Sequence, residues 1–543
     1  MHAEVKKVYV ESGPTSKWRL LLVVALMLVP DAVLHTAILG LPQGVSAKSS
    51  ITNLMVIALG ASLLTLTVLK YFGRKVLLVL FFVNLAVSVF IAAFYDAFRH
   101  VPGYRLAYQN VTEGMAVANV WWIFFPLPFF LLGLACGAAA LLAGRGVRLH
   151  VPRSWLLLCG VLCAALHLTL AARVDPAVYL VSNTPNAFAH RHGYYVSQVY
   201  DLAWSAWQGD TTANAVLLDA ERYPVPALGL AGATDTLDGA SSVLLVQVES
   251  LGWEVLHLAE SGKAVTPFLN YLAQRVAVMK LKANHSGSAG SAGSDFQVMT
   301  GLRPSKLANV YLDRDFPWAQ RLPETAMKNG FDFEMVHGND SEFLHRATAY
   351  RAMGVRHFRD PRSAKLAADT AWGWSDRRLF GEALDSLEAA GDTRSVKLIV
   401  TLSSHTPFNF VDNGFMPGAD VRSRYLTSIN YADHELGRFI ERLSGKHLVV
   451  LWGDHESGAL DAEAASHGAS EEYVPGFVFM VNDGKVEKLV VSADARALLS
   501  GRFEIASLNS LAGDMLGRLG AAAAADLKRT AVARAEPAER GGR

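Results

Sequence analysis

The chain has 543 residues, of which 51% are hydrophobic and 18% charged. A soluble protein carries about 25% charged residues, and the apolar excess here excludes intrinsic disorder, collagen-like repeats and a small disulfide scaffold. The net charge is +1, and residues 1–173 carry 14 Lys and Arg against 5 Asp and Glu. The excess of positive charge lies in this apolar front part. The sequence therefore contains no basic stripe of the kind that binds nucleic acid, and nucleic acid is not expected as a partner. All three cysteines, Cys136, Cys159 and Cys163, also lie there, so the rest of the chain can form no internal disulfide.

Several stretches of the front part are apolar over roughly 20 residues, the length that crosses about 30 Å of hydrocarbon. We predict five membrane-spanning helices, at approximately 19–41, 51–72, 76–95, 120–143 and 154–172. Lys and Arg cluster before the first span, between the second and third, and between the fourth and fifth. By the positive-inside rule the N-terminus is cytoplasmic, and everything after Arg173 is expected on the opposite side of the membrane.

Two ionisable residues, Asp31 and His35, lie four positions apart in the first predicted span. Ionisable groups inside a membrane are candidates for a functional role. The alternative is that both lie near the outer end of a tilted helix and reach water, so the sequence assigns them no role.

The remaining chain divides into three parts. Residues 174–239 form a connector in which Tyr and Trp recur among polar residues, a pattern typical of helices on a membrane surface. Residues 240–520 alternate short apolar runs with amphipathic stretches, which predicts an α/β domain. We predict strands at 243–248, 275–281, 331–336, 396–402, 447–452 and 476–481, several of them continuously apolar as in a buried parallel sheet. Residues 521–543 contain few aromatic residues and are predicted to be disordered.

Three predicted strands end in residues that can bind a metal ion. Glu249 follows the first strand, His405 follows the fourth, and Asp454 and His455 follow the fifth. Ligands of an open α/β sheet bind beyond the carboxyl ends of its strands, so these side chains are expected at one edge. Carboxylates together with imidazole suit Zn²⁺ or Mn²⁺. An ion held in this way lowers the pKa of a hydroxyl group that occupies its open position.

A stretch of small residues at 285–297 contains candidate hydroxyl groups, since it is composed largely of Gly, Ala and Ser. Small side chains let a backbone approach a phosphate group closely. The alternative interpretation is a flexible surface loop.

These motifs resemble those of a known family. Glu249 in Val-Glu-Ser, Gly453-Asp454-His455 and the segment 290–301 are similar to motifs of the lipoteichoic acid synthase and phosphoethanolamine transferase group, a membrane-anchored branch of the alkaline-phosphatase superfamily. The resemblance implies a multi-span α-helical membrane domain followed by an α/β alkaline-phosphatase-like (sulfatase-like) domain. It also implies a place in the bacterial cytoplasmic membrane, with the catalytic domain outside the cytoplasm.

The same resemblance implies a metal site and a nucleophile. One divalent ion, Zn or Mn, would be bound by Glu249, Asp454, His455 and Ser291, and Ser291 would be the nucleophile. The family usually has threonine at that position, and serine keeps the hydroxyl group. The Gly-Ser-Ala repeat leaves two further serines as alternatives, Ser288 and Ser294.

Other stretches resemble substrate-binding segments of the family. The segment that contains His337 and Arg346, with Phe343 between them, is similar to the phosphoglycerol-binding segment of lipoteichoic acid synthases. His405 in His-Thr-Pro-Phe matches the family's substrate histidine, and His467 resembles a histidine of phosphoethanolamine transferases. The resemblance implies that these three histidines and the arginine bind substrate, and that His405 and His467 also transfer protons. The headgroup stays open between phosphoglycerol and phosphoethanolamine.

The expected function is therefore a metal-dependent transferase. It would move the headgroup of a membrane phospholipid, through a phospho-Ser291 intermediate, to a glycan or lipid acceptor of the cell envelope. The alternative is a catalytically inactive lipid-sensing or glycan-binding membrane protein of the same fold. A true sulfatase is not expected, because the Cys/Ser-x-Pro-x-Arg context for formylglycine does not occur near residues 285–300.

Overall fold

A computed structural model describes the chain as two compact units. Apart from a few isolated positions, the described residues are 14–34, 58–60, 62–63, 65–98, 125–143, 239–283, 290–303, 321–343, 346–370, 372–406, 408–416, 420–457, 459–460, 473–489 and 502–535.

In the first unit, three of the described helices overlap the first, third and fourth predicted spans, and a shorter apolar helix, Ala58–Tyr71, lies in the second. They are α1 (Pro14–Val33), α2 (Gly73–Phe98) and α3 (Leu127–Ala143). Within the described residues one helix, Gly73–Tyr95, is long and apolar enough to cross a membrane, by length and composition alone. Part of the second predicted span and most of the fifth lie outside the described residues, so the arrangement of five spans stays a prediction.

Glycines of α3 allow it to approach α2 closely. A Cβ atom at Gly133 would lie 2.3 Å from Leu85, and one at Gly137 would lie 2.8 Å from Phe81. Small residues four positions apart are a common device for close packing of apolar helices. A larger residue at Gly133 or Gly137 would therefore clash with α2.

A polar contact joins α1 to α2. Asn84 Nδ2 donates a hydrogen bond of 2.9 Å to Asp31 Oδ1. Asp31 therefore has a partner in the same unit, which satisfies part of its hydrogen-bonding capacity in apolar surroundings. His35, the other ionisable residue of the predicted span, lies outside the described residues.

The second unit is built on a mixed β-sheet. The described strands are β1 (Ser242–Val248), β2 (Ala259–Glu260), β3 (Lys263–Ala264), β4 (Val278–Lys282), β5 (Asp332–His337), β6 (His357–Arg359), β7 (Ser395–Val400), β8 (Lys446–Gly453), β9 (Tyr473–Asn482), β10 (Lys485–Glu487) and β11 (Arg502–Glu504). They follow the order β11-β4-β9-β8-β1-β7-β5-β6, β10 pairs with β9, and β2 and β3 form a separate hairpin.

Each of the six predicted strands corresponds to an observed strand, with boundaries that differ by a few residues. Strands β1, β5, β6, β7 and β8 are parallel, whereas β9 runs antiparallel to both β8 and β4. Strand β9 is buried along nearly its whole length. Its sequence is therefore as apolar as those of the parallel strands of the sheet. An apolar run therefore indicates burial on both faces and leaves strand direction open.

Helices cover both faces of the sheet. Successive residues of β1 point to opposite faces: Val243 and Leu245 join one hydrophobic cluster, and Leu244 and Val246 join the other. The helices of this unit are α4 (Pro267–Ala273), α5 (Gly290–Thr300), α6 (Leu322–Lys328), α7 (Arg346–Ala352), α8 (Asp376–Ala390), α9 (Val421–Arg442) and α10 (Ser507–Ala535) among the described residues. Residues of α5, α6, α7 and α10 belong to the first cluster, and residues of α4, α8 and α9 belong to the second.

The prediction of a disordered tail at 521–543 differs from the structure over its first part. Residues 521–535 continue helix α10, which begins at Ser507, and residues 536–543 lie outside the described residues. The run of alanines from Ala521 to Ala525 explains the difference, because alanine has the highest helix propensity of the amino acids. A low content of aromatic residues indicates poor core formation, but it does not prevent an extended helix.

Candidate active site

Strand register brings the candidate ligands together at the carboxyl edge of the sheet. Strand β1 lies between β7 and β8, and Val248 is paired with Gly453. The next residues, Glu249 and Asp454, therefore emerge side by side. The Asp454 backbone N–H donates to Val248 O at 3.1 Å, and the Glu249 N–H donates to Thr401 Oγ1 at 2.9 Å. The strands thus fix the backbone of both carboxylate residues.

Glu249, Asp454 and His455 form a cluster that fits a divalent cation. Each offers one ligand atom, and these atoms lie within 4.8 Å of one another. His455 Nε2 is 3.4 Å from Glu249 Oε1 and 3.6 Å from Asp454 Oδ2. Asp454 Oδ2 is buried and has no hydrogen-bond partner among the described residues. A buried carboxylate oxygen facing a second carboxylate and an imidazole is the donor set that Zn²⁺ or Mn²⁺ prefers.

The His455 ring is oriented by the chain itself. Its Nδ1 lies 2.9 Å from the carbonyl oxygen of Glu456. A carbonyl oxygen only accepts hydrogen bonds, so Nδ1 carries the proton and Nε2 is the nitrogen that faces the carboxylates. Such a bond from the far nitrogen is the usual way in which a metal-binding imidazole is held.

Ser250 connects the two carboxylates, a role that the sequence analysis did not assign. Its backbone N–H donates to Asp454 Oδ1 at 2.7 Å, and its Oγ donates to Glu249 Oε1 at 2.9 Å. Its φ of 53° lies in the left-handed region, which is costly for a residue with a side chain. Tyr425 Oη donates to the Ser250 carbonyl at 2.8 Å and helps to hold this conformation. The only sequence signal was the position of Ser250 directly after Glu249.

Ser291 reaches the cluster from the first turn of α5. Its Oγ donates a hydrogen bond of 2.6 Å to Glu249 Oε2. Gln247 Nε2, from the end of β1, donates to the Ser291 carbonyl oxygen at 3.0 Å and fixes the start of the helix. The hydroxyl group that the sequence analysis favoured thus lies directly against a predicted metal ligand.

The other two candidate serines differ from Ser291 in position. Ser294 is fully buried, and Trp452 Nε1 donates to its Oγ at 2.9 Å. Ser294 therefore contacts Trp452, which belongs to the hydrophobic core. Ser288 lies outside the described residues.

The charges of the cluster are strongly coupled. Burial raises the pKa of Asp454, and the nearby Glu249 charge raises it further, to about 7. Burial would also raise the pKa of Glu249, but the positive charges of His405 and His455 and the hydrogen bonds from His455 and Ser291 hold it well below its usual range. The two carboxylates raise the pKa of His455 against the effect of its burial. The site therefore favours positive charge between Glu249 and Asp454.

His405 lies near the cluster on the segment after β7. Its Nδ1 is 2.8 Å from Thr406 O, and its ring packs against Trp372 with the ring centroids 4.6 Å apart. The preceding residue contacts the cluster directly, since Ser404 Oγ donates to the Glu249 carbonyl oxygen at 2.6 Å. The segment that carries His405 therefore lies beside Glu249. His467, the other predicted proton-transfer residue, lies outside the described residues.

Arg346 and His337 contact each other rather than solvent. Both are 3% exposed. Arg346 Nε forms an ion pair of 2.8 Å with Asp295 Oδ2, and one of its terminal nitrogens lies 3.0 Å from His337 Nε2. Burial, followed by the charge of Arg346, lowers the pKa of His337 to about 3, so its ring is neutral. The arginine is therefore engaged inside the domain, and direct headgroup binding by Arg346 stays a prediction.

Comparisons with known proteins agree with this architecture. The Sulfatase family profile matches residues 241–492. The chain is 27% identical to lipoteichoic acid synthase 2 of Bacillus subtilis (strain 168) over 229 residues, which covers 39% of this chain and 35% of the relative. It is 24% identical to the lipoteichoic acid synthase-like protein YvgJ of the same organism over 273 residues, which covers 48% of this chain and 43% of the relative. The chain thus matches less than half the length of these relatives.

One solved structure is similar over most of the chain. It is the integral membrane protein lipooligosaccharide phosphoethanolamine transferase A (EptA) from Neisseria meningitidis. The TM-score is 0.52 at 15% identity, with 85% of this chain and 89% of that chain covered. At this identity the similarity concerns the fold alone.

Proposed function

We propose that the chain is a metal-dependent phosphoglycerol or phosphoethanolamine transferase of the alkaline-phosphatase superfamily, whose sulfatase family profile matches residues 241–492. The observation that carries this proposal is the 2.6 Å hydrogen bond from Ser291 Oγ to Glu249 Oε2, beside Asp454 and His455. This hydrogen bond brings the candidate nucleophile next to the candidate cation site. The relatives named as lipoteichoic acid synthases support a transferase of this group, and the resemblance of the motifs keeps both headgroups open.

Glu249, Asp454, His455 and Ser291 would hold one divalent ion, Zn or Mn. When bound, such an ion lowers the pKa of a hydroxyl group and neutralises charge on a phosphoryl group. The chain contributes a second electrostatic term, because Ser291 lies in the first turn of α5. Unpaired N–H groups at a helix N-terminus favour phosphate oxygens. The bound ion and the N-terminus of α5 would both stabilise the negative charge of a phosphoryl group next to Ser291 Oγ.

Group transfer would proceed in two balanced steps. Ser291 Oγ, whose proton is lost to water before the first turnover, attacks the phosphorus of the donor phosphodiester, and the bond from phosphorus to the diacylglycerol oxygen breaks. His405 or His467 gives a proton to that oxygen, and the headgroup stays on Ser291 as a phosphodiester. An acceptor hydroxyl group then attacks the same phosphorus, gives its proton to the same imidazole and releases Ser291. The Nδ1 contact of His405 with Thr406 O supports this assignment, since it leaves Nε2 for the reacting oxygen atoms.

The donor would be a membrane phospholipid, and the acceptor a glycan or lipid of the cell envelope. A diacyl lipid stays in the bilayer, so an anchored catalytic domain reaches its headgroup without extracting it. We place the chain in the bacterial cytoplasmic membrane, with several spans and the catalytic domain outside the cytoplasm. A reporter fused after Arg173 tests this topology: activity of an extracytoplasmic reporter supports it, and activity of a cytoplasmic reporter contradicts it.

Mass spectrometry of the Ser291 peptide tests the function. The purified full-length chain, loaded with Zn²⁺ or Mn²⁺, is incubated with vesicles that contain phosphatidylglycerol or phosphatidylethanolamine and is then digested. We expect one vesicle type to add the mass of its phosphorylated headgroup to Ser291, and the Ser291→Ala chain to gain none. No added mass with either lipid contradicts the proposal and favours the inactive lipid-sensing or glycan-binding protein.

A further inference from the structure

The segment 369–376 connects two regions that contain predicted substrate-binding histidines. The Trp374 backbone N–H donates to Gly338 O at 2.7 Å, next to His337. Gly373 has a φ of 149°, and a Cβ atom there would lie 2.1 Å from the same Gly338 oxygen. Only glycine permits this approach of the two backbones. The segment is therefore fixed against the region of His337.

Asp376, at the other end of this segment, fixes the region of His405. Its Oδ1 accepts hydrogen bonds from the N–H groups of Leu402 and Ser403, at 2.9 and 3.0 Å. Ser403 Oγ in turn lies 2.8 Å from the Asp376 N–H, from which it accepts a hydrogen bond. These bonds leave the chain from Leu402 to His405 little freedom relative to the segment 369–376.

Trp372, in the middle of the segment, contacts His405 in two ways. The two ring centroids are 4.6 Å apart at an interplanar angle of 55°. Trp372 Nε1 also donates at 3.2 Å to Thr406 O, the carbonyl oxygen that lies 2.8 Å from His405 Nδ1. One acceptor thus receives a hydrogen from each ring. Since a carbonyl oxygen cannot donate, Nδ1 of His405 carries the proton, and Nε2 is left for a substrate.

Trp372 itself is not placed to touch a substrate. It is 5% exposed, and Phe343 and Phe410 pack around it at centroid distances of 6.3 and 6.4 Å. Any effect of Trp372 on chemistry must therefore pass through His405.

We propose that Trp372 is a positioning residue that sets the ring orientation and the tautomer of His405 in the transfer reaction. The inference rests on the proposed function, because it assigns His405 the role of proton carrier. Trp372 donates to the Thr406 oxygen that fixes the far nitrogen of His405, and loss of a contact that supports a working imidazole in this way typically changes activity about 10-fold to 100-fold. The loss should affect kcat more than KM, since the proton moves only in the chemical step.

Steady-state kinetics of the metal-loaded full-length chain test this role. Trp372→Phe keeps a ring against His405 but removes the indole N–H, and we expect kcat to fall about tenfold with KM changed less than about twofold. In a His405→Ala background the same substitution should cause no further loss. Phe410→Leu is the matched control, since Phe410 contacts Trp372 on another side, and it should leave kcat within about twofold. Wild-type kcat in Trp372→Phe overturns the proposal, and so does an equal loss in the His405→Ala background.

Chemical labelling provides a test that needs no transfer activity. Diethylpyrocarbonate modifies neutral imidazole nitrogens, and peptide mass spectrometry gives the labelling rate of His405. We expect this rate to rise several-fold in Trp372→Ala and to stay unchanged in Phe410→Leu, with bound metal at the wild-type level in both. Equal rates in Trp372→Ala and the wild type overturn the proposed contact. If the wild type transfers no headgroup, the proposed function fails, while the labelling still decides whether Trp372 holds His405.

Discussion

Arg346 Nε lies 2.8 Å from Asp295 Oδ2, and the two side chains are 4% and 0% exposed. Asp295 lies four residues after Ser291 in α5, and Arg346 begins α7 and contacts His337. The ion pair therefore joins the helix of the candidate nucleophile to the segment predicted to bind the headgroup. Tyr311 donates a further hydrogen bond to Asp295. A charge buried this deeply is tolerated only with such partners.

Removal of Arg346 should destabilise the domain strongly. Arg346→Ala leaves the Asp295 carboxylate buried without its cation, which costs about 3–5 kcal/mol of unfolding free energy. Arg351→Ala is a matched control on the same helix, because its partner Glu342 is half-exposed and the arginine is 54% exposed. That pair is worth less than about 1 kcal/mol. Unfolding of the full-length chain in detergent gives both values, and equal losses would contradict a structural role for the buried pair.

Substitutions at Ser291 should separate the nucleophile from the fold. Ser291→Ala should abolish headgroup transfer, because no hydroxyl group remains beside Glu249, while the unfolding temperature should change little. Ser291→Thr keeps the hydroxyl group and should retain measurable transfer. Ser294→Ala removes a neighbouring hydroxyl that accepts from Trp452 and should leave transfer intact. Assays with a labelled phospholipid donor measure all three, and wild-type transfer by Ser291→Ala would move the nucleophile elsewhere.

Metal content and activity should be lost together in ligand variants. Glu249→Gln and Asp454→Asn each replace a charged oxygen ligand by a neutral amide, which weakens binding of a hard divalent cation. We expect the wild type to hold about one Zn or Mn per chain after loading, and both variants to hold far less. Elemental analysis by mass spectrometry measures this directly. Wild-type metal content in both variants would exclude this cluster as the metal site.

His337 should make the folded state sensitive to acid. Its pKa falls from the ordinary 6.5 to about 3 in the folded chain. Between these values the unfolded chain binds a proton that the native chain does not, so the unfolding free energy decreases as pH falls from 6.5 towards 3, by up to about 1.4 kcal/mol per pH unit. His337→Gln removes this dependence but can still accept from Arg346.

Unfolding of the wild type and His337→Gln across this pH range isolates the effect. The unfolding free energy of the wild type should fall steadily relative to that of His337→Gln as pH decreases. His357→Gln serves as the control, since the His357 side chain is 57% exposed, and it should preserve the wild-type pH profile. Parallel profiles for the wild type and His337→Gln would show that His337 titrates normally in the folded chain.

Sequence patterns were sufficient to predict the strand ends that carry Glu249, Asp454 and His455, because parallel strands place their carboxyl ends at one edge. They did not predict the left-handed backbone of Ser250 or its bonds to both carboxylates. The partner of Arg346 was also missed: Asp295 lies 51 positions earlier, and only the packing of α5 against α7 brings the two together. Contacts between elements of distant sequence depend on tertiary packing, which local patterns do not encode.

The antiparallel direction of β9 was missed for a related reason. Residues of β9 contribute to the hydrophobic clusters on both faces of the sheet, so its sequence resembles that of a buried parallel strand. The continuation of α10 to Ala535 reflects local propensity instead. The low aromatic content after residue 520 was interpreted as a sign of disorder. An alanine-rich sequence forms a helix readily without a hydrophobic core.

The insertion of β1 between β7 and β8 also determines when the site can exist during synthesis. Ser250 and Asp454, joined by a hydrogen bond, are 204 residues apart in the chain. A nascent polypeptide that has not yet emerged beyond β8 has one carboxylate of the cage and the serine, but it lacks the second carboxylate and the imidazole. Under the proposed function, an unfinished chain therefore lacks two of the three charged metal ligands until β8 has been made and has paired with β1.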